Sequence, residues 1–298
     1  MKGKQHPVLL VIVILGVAVL VLGAVLTAIF SMAGPGGLSF KEKIGVIPVE
    51  GTIMDSEAVV SDLVEFKKNK GIKAIILRVN SPGGAVGPSQ EIYREVRKTI
   101  EKKKVIASLG SIAASGGYYI SSAANKIVAN PGTLTGSIGV LMEFVRLQEL
   151  MEKIGVDMEV LKSGEFKDIG SPYRKLTDRD KELIQELVSE TKNQFVEAVA
   201  QGRNLSVEKV REIADGRIIS GSQGMELGLV DQLGNFQDAV DLAKSLAGIE
   251  GEVTLVYPKR TRLSFWDMLF AEGSRAFYRA LRDVLGTKIE YRWDGLPS

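Results

Sequence analysis

The chain contains no cysteine and a single histidine, His6. The first absence excludes disulfides, a thiol nucleophile and cysteine-based zinc clusters together. The second means that a serine nucleophile would have no imidazole as its base, because His6 lies at the N-terminus beyond a long apolar run; a lysine or a carboxylate has to serve. An excess of charge of either sign is also missing. Lys and Arg number 38 against 36 Asp and Glu, a formal net charge of +2 over 298 residues. Basic residues are interleaved with acidic ones, and the densest basic run, Lys102 to Lys104, reads as a solvated helix end, so no nucleic-acid footprint is present.

The most conspicuous stretch is Val8 to Phe30, 23 residues without a charge. As a helix it is about 35 Å long, enough to cross a hydrocarbon core of about 30 Å. The expectation is one N-terminal transmembrane anchor. Ser31 Met32 Ala33 offers a signal-peptide cleavage site, but the apolar run is too long for that reading. Lys2 and Lys4 put the N-terminus in the cytoplasm and residues 40–298 outside, with Lys41 and Lys43 weakening the asymmetry. The expected layout is a cytoplasmic N-terminus at 1–7, the anchor at 8–30 and a Gly- and Pro-containing linker at 31–39. A folded domain then occupies 40–250 and an extension 251–298.

After the linker, apolar β-branched runs alternate with helical spacing. Strands are expected at Ile44–Ile53, Ala74–Val79, Val105–Ala107, Ile127–Ala129 and Met158–Leu161. Helices are expected at Ala58–Lys68, Ser89–Glu101 and Phe144–Ile154. This alternation argues for an α/β fold of mostly parallel strands with flanking helices. Thr177 to Asp180 reads as a capping box opening a helix to about Gln201, and Ser206–Ala214 as a further helix. Helices are also read from Gly216 through Leu227 and at Asp238–Ala247. The aromatic-rich Ser264–Leu285 is dense enough in apolar residues to lie on a membrane or a partner subunit, and the tail Tyr291–Ser298 is within reach of a catalytic groove.

The stretch Leu109 to Asn125 carries the strongest chemical signal. The strand at Val105–Ala107 breaks at Gly110 into a strand-to-helix turn, and Ser115 stands at the start of the helix with Gly116 and Gly117 behind it. Such a turn presents a nucleophile; the same small residues equally suit a helix packed closely on a sheet. Asn80 Ser81 Pro82 Gly83 Gly84 forms a second turn, at the C-terminal end of a strand, where open α/β sheets place their sites and backbone N–H groups can meet an oxyanion. Thr133 to Gly139 supplies hydroxyls suited to orienting a lysine amine. Lys167, flanked by apolar Phe166 and Ile169, follows the strand expected to end at Leu161 and is a candidate for a buried lysine of lowered pKa.

Asn80 to Gly84, Ala113 to Tyr119, Gly136 to Val140 and Lys167 to Pro172 occur together and in order. On these four motifs the chain resembles the signal peptide peptidase A family, membrane-anchored serine peptidases of the Clp protease and crotonase superfold, over about residues 44–247. The resemblance implies a Ser115 and Lys167 catalytic dyad. It also implies Ser137 as the hydroxyl that hydrogen-bonds the lysine amine, and the N–H groups of Gly83 and Gly116 as oxyanion donors. Neither metal nor other cofactor is implied. Implied partners are extended apolar peptides such as signal-peptide remnants or membrane-protein fragments, the lipid membrane, and further copies in a homo-oligomeric ring that complete the site. A crotonase-like acyl-thioester enzyme and a catalytically silent membrane scaffold are the alternatives from other classes.

Overall fold

A computed structural model describes residues 7–32, 41–259 and 288–292, with side chains over 11–27 and 41–259. It divides into two compact units, Met1–Lys41 and Glu42–Ser298. The first contains one helix, α1 (Pro7–Met32), 26 residues with no charged side chain. Its described side chains, residues 11–27, are all exposed. That described stretch is about 26 Å long, and within it no helix is long and apolar enough to cross a membrane.

The second unit begins with β1 (Glu42–Glu50), α2 (Glu57–Lys68), β2 (Ile72–Ser81), β3 (Gly83–Ala85) and α3 (Val86–Ile100). There follow β4 (Lys104–Ala114), α4 (Gly116–Ser122), β5 (Lys126–Ala129), β6 (Leu134–Gly136), β7 (Leu141–Glu143) and α5 (Gln148–Lys153). Next come α6 (Asp178–Arg203), α7 (Val207–Ile213), β8 (Ile218–Ser220) and α8 (Gly221–Glu226). The described chain closes with β9 (Gln232–Leu233), α9 (Phe236–Ala247), β10 (Val253–Val256) and β11 (Lys288–Arg292).

The main sheet has the order β10-β1-β2-β4-β5-β9, with β6 paired to the end of β4 and β8 to β6. Every pair in it is parallel except β6 with β8. Strands buried on both faces need apolar side chains at every position, which is why they read as unbroken runs. The alternation sends Ile44, Val46, Ala74, Ile76 and Ile106 to the face covered by Ala239, Val240 and Ala243 of α9. It sends Ile47, Ile75, Leu77, Val105 and Ala107 to the other face, with Leu63, Phe66, Ile92, Val96, Phe195 and Val199 of α2, α3 and α6. Residues 253–256, past the expected end of the domain at 250, belong to this sheet as β10, an edge strand beside β1.

Four local expectations are corrected. The strand at Val105–Ala107 does not end at Gly110 but runs to Ala114. Between the pairs Val79↔Leu109 and Ser81↔Ala113 it gains two residues on β2, and Asn80 Oδ1 accepts the N–H groups of Ser111 and Ile112 at 3.1 and 3.3 Å. Gly110 marks this bulge because a Cβ there would lie 2.8 Å from Asn80 Oδ1. The helix expected at Phe144–Ile154 is confined to α5, and Met158–Leu161 forms no strand, Leu161 being 94% exposed with no ladder partner. Residues 218–220, read as helical, pair with β6 as β8. Ser264–Leu285 lies outside the described residues.

Candidate active site

Ser115 joins β4 to α4 with φ 53° and ψ −118°, a combination that side-chain-bearing residues rarely adopt. The surroundings hold it there. Ser115 N–H donates to the Gly136 carbonyl at 2.9 Å, and the Ser115 carbonyl accepts from Tyr119 N–H at 2.8 Å. Thr135 Oγ1 donates to the Ala113 carbonyl, and Thr133 Oγ1 to that of Gly110, at 2.8 and 2.7 Å. These hydroxyls were expected to orient a lysine; instead they fasten the end of β4. Ser115 is 1% exposed, and its Oγ makes no hydrogen bond with any described residue.

Ser137 is the second side-chain-bearing residue of the site with positive φ, 51°. Ala114 pairs with Gly136 in the β4·β6 ladder, so Ser115 and Ser137 are the next residues of two neighbouring parallel strands, whose usual spacing is about 4.8 Å. The Ser137 N–H is held by the Arg217 carbonyl at 2.8 Å, and its hydroxyl has no hydrogen bond among the described residues.

The two glycine turns meet at this point. A Cβ built on Gly116 would lie 3.2 Å from Gly83 Cα, 3.2 Å from Gly84 N and 2.8 Å from Ser89 Oγ. A Cβ on Gly84 would lie 2.1 Å from the Ile53 carbonyl oxygen, and its φ of 158° is at the edge of the range glycine alone favours. Gly116 N–H belongs to the first turn of α4, where amides have no intrahelical acceptor. Gly83 N–H donates to Ser81 Oγ at 3.1 Å. Ser81, fully buried, was not singled out in the sequence because its hydroxyl partner is created by the turn itself.

In α4, after Ser115, Tyr118 donates its hydroxyl to the Leu229 carbonyl at 2.9 Å, and the Tyr119 ring packs on Tyr93 and Phe195. Burial raises both phenols above their ordinary range, which keeps them neutral and unsuited as bases near neutral pH.

Lys167 lies in the turn that follows the 158–161 segment. It is exposed, in a turn where its N–H donates to the Gly164 carbonyl at 3.2 Å, and no hydrogen bond joins it to Ser115 or Ser137. The burial expected from its apolar neighbours is absent because Phe166 turns to the Arg179 guanidinium, 5.5 Å from the ring centre. Its turn is nevertheless clasped. Arg174 holds Asp168 with two hydrogen bonds of 2.9 and 2.8 Å and reaches Asp180, while Lys162 binds Asp168 at 2.8 Å. Asp180 closes the expected capping box with Thr177. Hydrogen bonds from Arg174 and Lys162 hold the Asp168 carboxyl well below its usual range, and the bond from Arg174 lowers Asp180 to about 2.

The profile of peptidase family S49 matches residues 97–250, and that of Clp protease matches residues 39–133. A Synechocystis protein provisionally named as a protease is 47% identical over 221 residues, covering 74% of this chain and 79% of its own. A provisionally named signal peptide peptidase SppA of Enterococcus faecium is 40% identical over 204 residues, 68% of this chain and 59% of its own. The chloroplastic serine protease SPPA of Arabidopsis thaliana is 36% identical over 270 residues, 87% of this chain. The chain spans 40% of that plant protein's length. With a Clp protease-like α/β fold and a strained serine at the end of β4, the chain belongs to peptidase family S49, the serine peptidases that include signal peptide peptidase A.

Proposed function

We propose that this protein is a membrane-anchored endopeptidase in which Ser115 of one copy is activated by Lys167 of a neighbouring copy. The observation that carries the reading is the Ser115 turn: a strained residue whose hydroxyl has no hydrogen bond among the described residues, set between Ser137 and the Gly83 and Gly116 turns. A hydroxyl with no partner among the described residues is available to a base, and Ser137 on the neighbouring strand is suited to accept a hydrogen bond from the lysine ammonium or donate one to its amine. Lys167 lies on the surface of its own chain, close in sequence to exposed Ile154, Val156, Met158, Val160 and Leu161. An apolar segment of that kind suits a contact between copies. Docking against a second copy would desolvate the lysine, and burial disfavours the charged form.

In this reading the neutral Lys167 amine takes the proton of Ser115 Oγ as it attacks the scissile carbonyl. The tetrahedral oxyanion receives hydrogen bonds from the Gly116 and Gly83 N–H groups, the latter leaving Ser81 Oγ for the stronger acceptor. Collapse transfers the proton from Lys167 to the leaving amine and leaves an acyl-Ser115, which water activated by the same amine hydrolyses. The 26-residue uncharged α1, about 39 Å long, supplies the anchor and keeps the domain beside its substrates, signal-peptide remnants or other extended apolar peptides. The catalytic domain lies outside the cytoplasm.

Mixing tests the shared site. Ser115→Ala and Lys167→Ala chains are each expected to be inactive on a fluorogenic peptide. Co-assembled one to one, they regain about a quarter of wild-type activity, because random neighbours reunite an intact pair at that frequency. A mixture as inactive as its parents, with normal assembly, refutes a dyad shared between copies. Failure of a serine-directed acylating probe to label wild-type Ser115 refutes the nucleophile and leaves the scaffold alternative.

A further inference from the structure

Asn80 takes no part in the chemistry described above, yet its side chain joins the two strands that deliver it. It is the penultimate residue of β2, three positions before Gly83. Its Oδ1 accepts the N–H groups of Ser111 and Ile112, four and three positions before Ser115. One side-chain oxygen therefore ties the strand that leads to the nucleophile to the strand that leads to an oxyanion donor. The point it grips is where β4 changes partner: Ile106–Ser108 pair with β5, and Ile112–Ala114 pair with β6. Beyond the bulge, the ladder between β2 and β4 consists of the single pair Ser81↔Ala113. The bonds that brace the Ser115 turn, from Ser115 N–H to Gly136 and from Thr135 to Ala113, hold it to β6 and not to β2.

A bulge leaves its extra residues without ladder partners, so something else has to fix where along the strand it lies. We propose that Asn80 is a positioning residue for acyl transfer, which pins the β4 bulge and thereby sets the distance between the Ser115 hydroxyl and the Gly83 N–H. The proposal rests on the reading of Ser115 as the nucleophile. Asn80 and Ser111 are both exposed, so water can replace the lost acceptor at the Ser111 amide but cannot hold the two strands at one offset. Stability and geometry therefore separate here. Both groups have to meet the same carbonyl, and a misplacement of about 1 Å costs on the order of 100-fold in rate.

Asn80→Ala removes the acceptor, and Asn80→Asp keeps one at the same reach. In the full-length chain in detergent, Asn80→Ala is expected to lower kcat on a fluorogenic hexapeptide about thirtyfold, with KM within about twofold. Asn80→Asp should return kcat to within about threefold of the unaltered chain. Affinity for a peptide boronate, which forms a tetrahedral adduct on the serine, should fall in Asn80→Ala by the same factor as kcat/KM. The melting temperature should move by no more than about 2 °C. A lower melting temperature with kcat unchanged overturns the proposal, and so does an aspartate variant as slow as the alanine variant. Gly110→Ala approaches the same contact from the other strand, since its Cβ would lie 2.8 Å from Asn80 Oδ1. It should lower kcat likewise and add less than about twofold to Asn80→Ala; a fully multiplicative loss gives the two positions separate roles and overturns the proposal. Hydrogen exchange needs no turnover. In Asn80→Ala, faster exchange should spread from the Ser111 and Ile112 amides to those of Gly116 and Gly83. That spread, with all serine-bearing chains inactive, would refute the peptidase reading and uphold the coupling of the two turns; acceleration confined to Ser111 and Ile112 refutes the coupling.

Discussion

If the Ser115 turn stores backbone strain, glycine at that position should release it. Ser115→Ala and Ser115→Gly both remove the hydroxyl, so their difference reports on the backbone and Cβ alone. A residue held at φ 53°, ψ −118° costs about 1–3 kcal/mol when it carries a Cβ. Glycine carries little of that cost but has more freedom to lose on folding, which takes back about 0.5–1 kcal/mol. The balance, about 0–2.5 kcal/mol and centred on about 1 kcal/mol, favours Ser115→Gly. For a unit of this size, each kcal/mol moves the melting temperature by about 2–4 °C, so the glycine variant should melt about 2–4 °C above the alanine variant and at most about 10 °C above it. Differential scanning calorimetry of the two full-length variants, at equal concentration and in the same detergent, decides it. A glycine variant that melts with or below the alanine variant refutes the idea that the Gly136, Thr135 and Tyr119 hydrogen bonds force this conformation.

Two further predictions concern the fastenings around the site. Thr135→Val removes the buried hydroxyl bond to the Ala113 carbonyl and should cost about 1–2 kcal/mol by denaturant titration. It should also lower kcat more than it raises KM; a stability loss without any change in kcat would show that Thr135 supports the strand and not the nucleophile. The clasp under Lys167 should be sensitive to acid. Asp168 and Asp180 have carboxyl pKa values depressed by Arg174, so the folded state binds fewer protons than the unfolded one. Their contribution is complete above the ordinary carboxylate pKa of about 4 and is lost as the pH falls toward about 2. Hydrogen-exchange protection of amides 162–172 should decline over that window. Asp168→Asn should lower it already at pH 6, and unchanged protection in that variant would refute the clasp.

What could be read in the sequence follows from where each element finds its partners. The central strands were legible because burial on both faces demands continuous apolar runs, as at Ala74–Val79. The helix caps at Thr177, Ser206 and Ser220 rest on bonds to residues three positions away, and the first is legible directly as a capping box. The Ser115 motif was legible as a turn but not as a strained one, since its φ is imposed by Gly136 on another strand. The bulge at Gly110 depends on the Asn80 side chain, thirty residues distant. Met158–Leu161 has strand composition but pairs with no strand among the described residues. Lys288–Arg292 has an ordinary composition and becomes a strand only because β3 and β7 flank it, each more than 140 residues earlier in the chain.

The two halves of the proposed site differ in what maintains them, and this has a measurable consequence. The serine half is set by bonds within one chain, so the strain at Ser115 exists whether or not copies meet. The lysine half is exposed, and a lone subunit gains nothing by burying an ammonium whose desolvation is costly. Under the proposed shared dyad, assembly itself supplies the desolvation that makes Lys167 a base. Specific activity should therefore fall on dilution through the dissociation range measured by analytical ultracentrifugation. The stability difference between Ser115→Gly and Ser115→Ala should persist in dissociated chains. Specific activity that stays constant after the copies have separated would place both halves in one chain and require a conformational movement of residues 162–172, which the Arg174 clasp opposes.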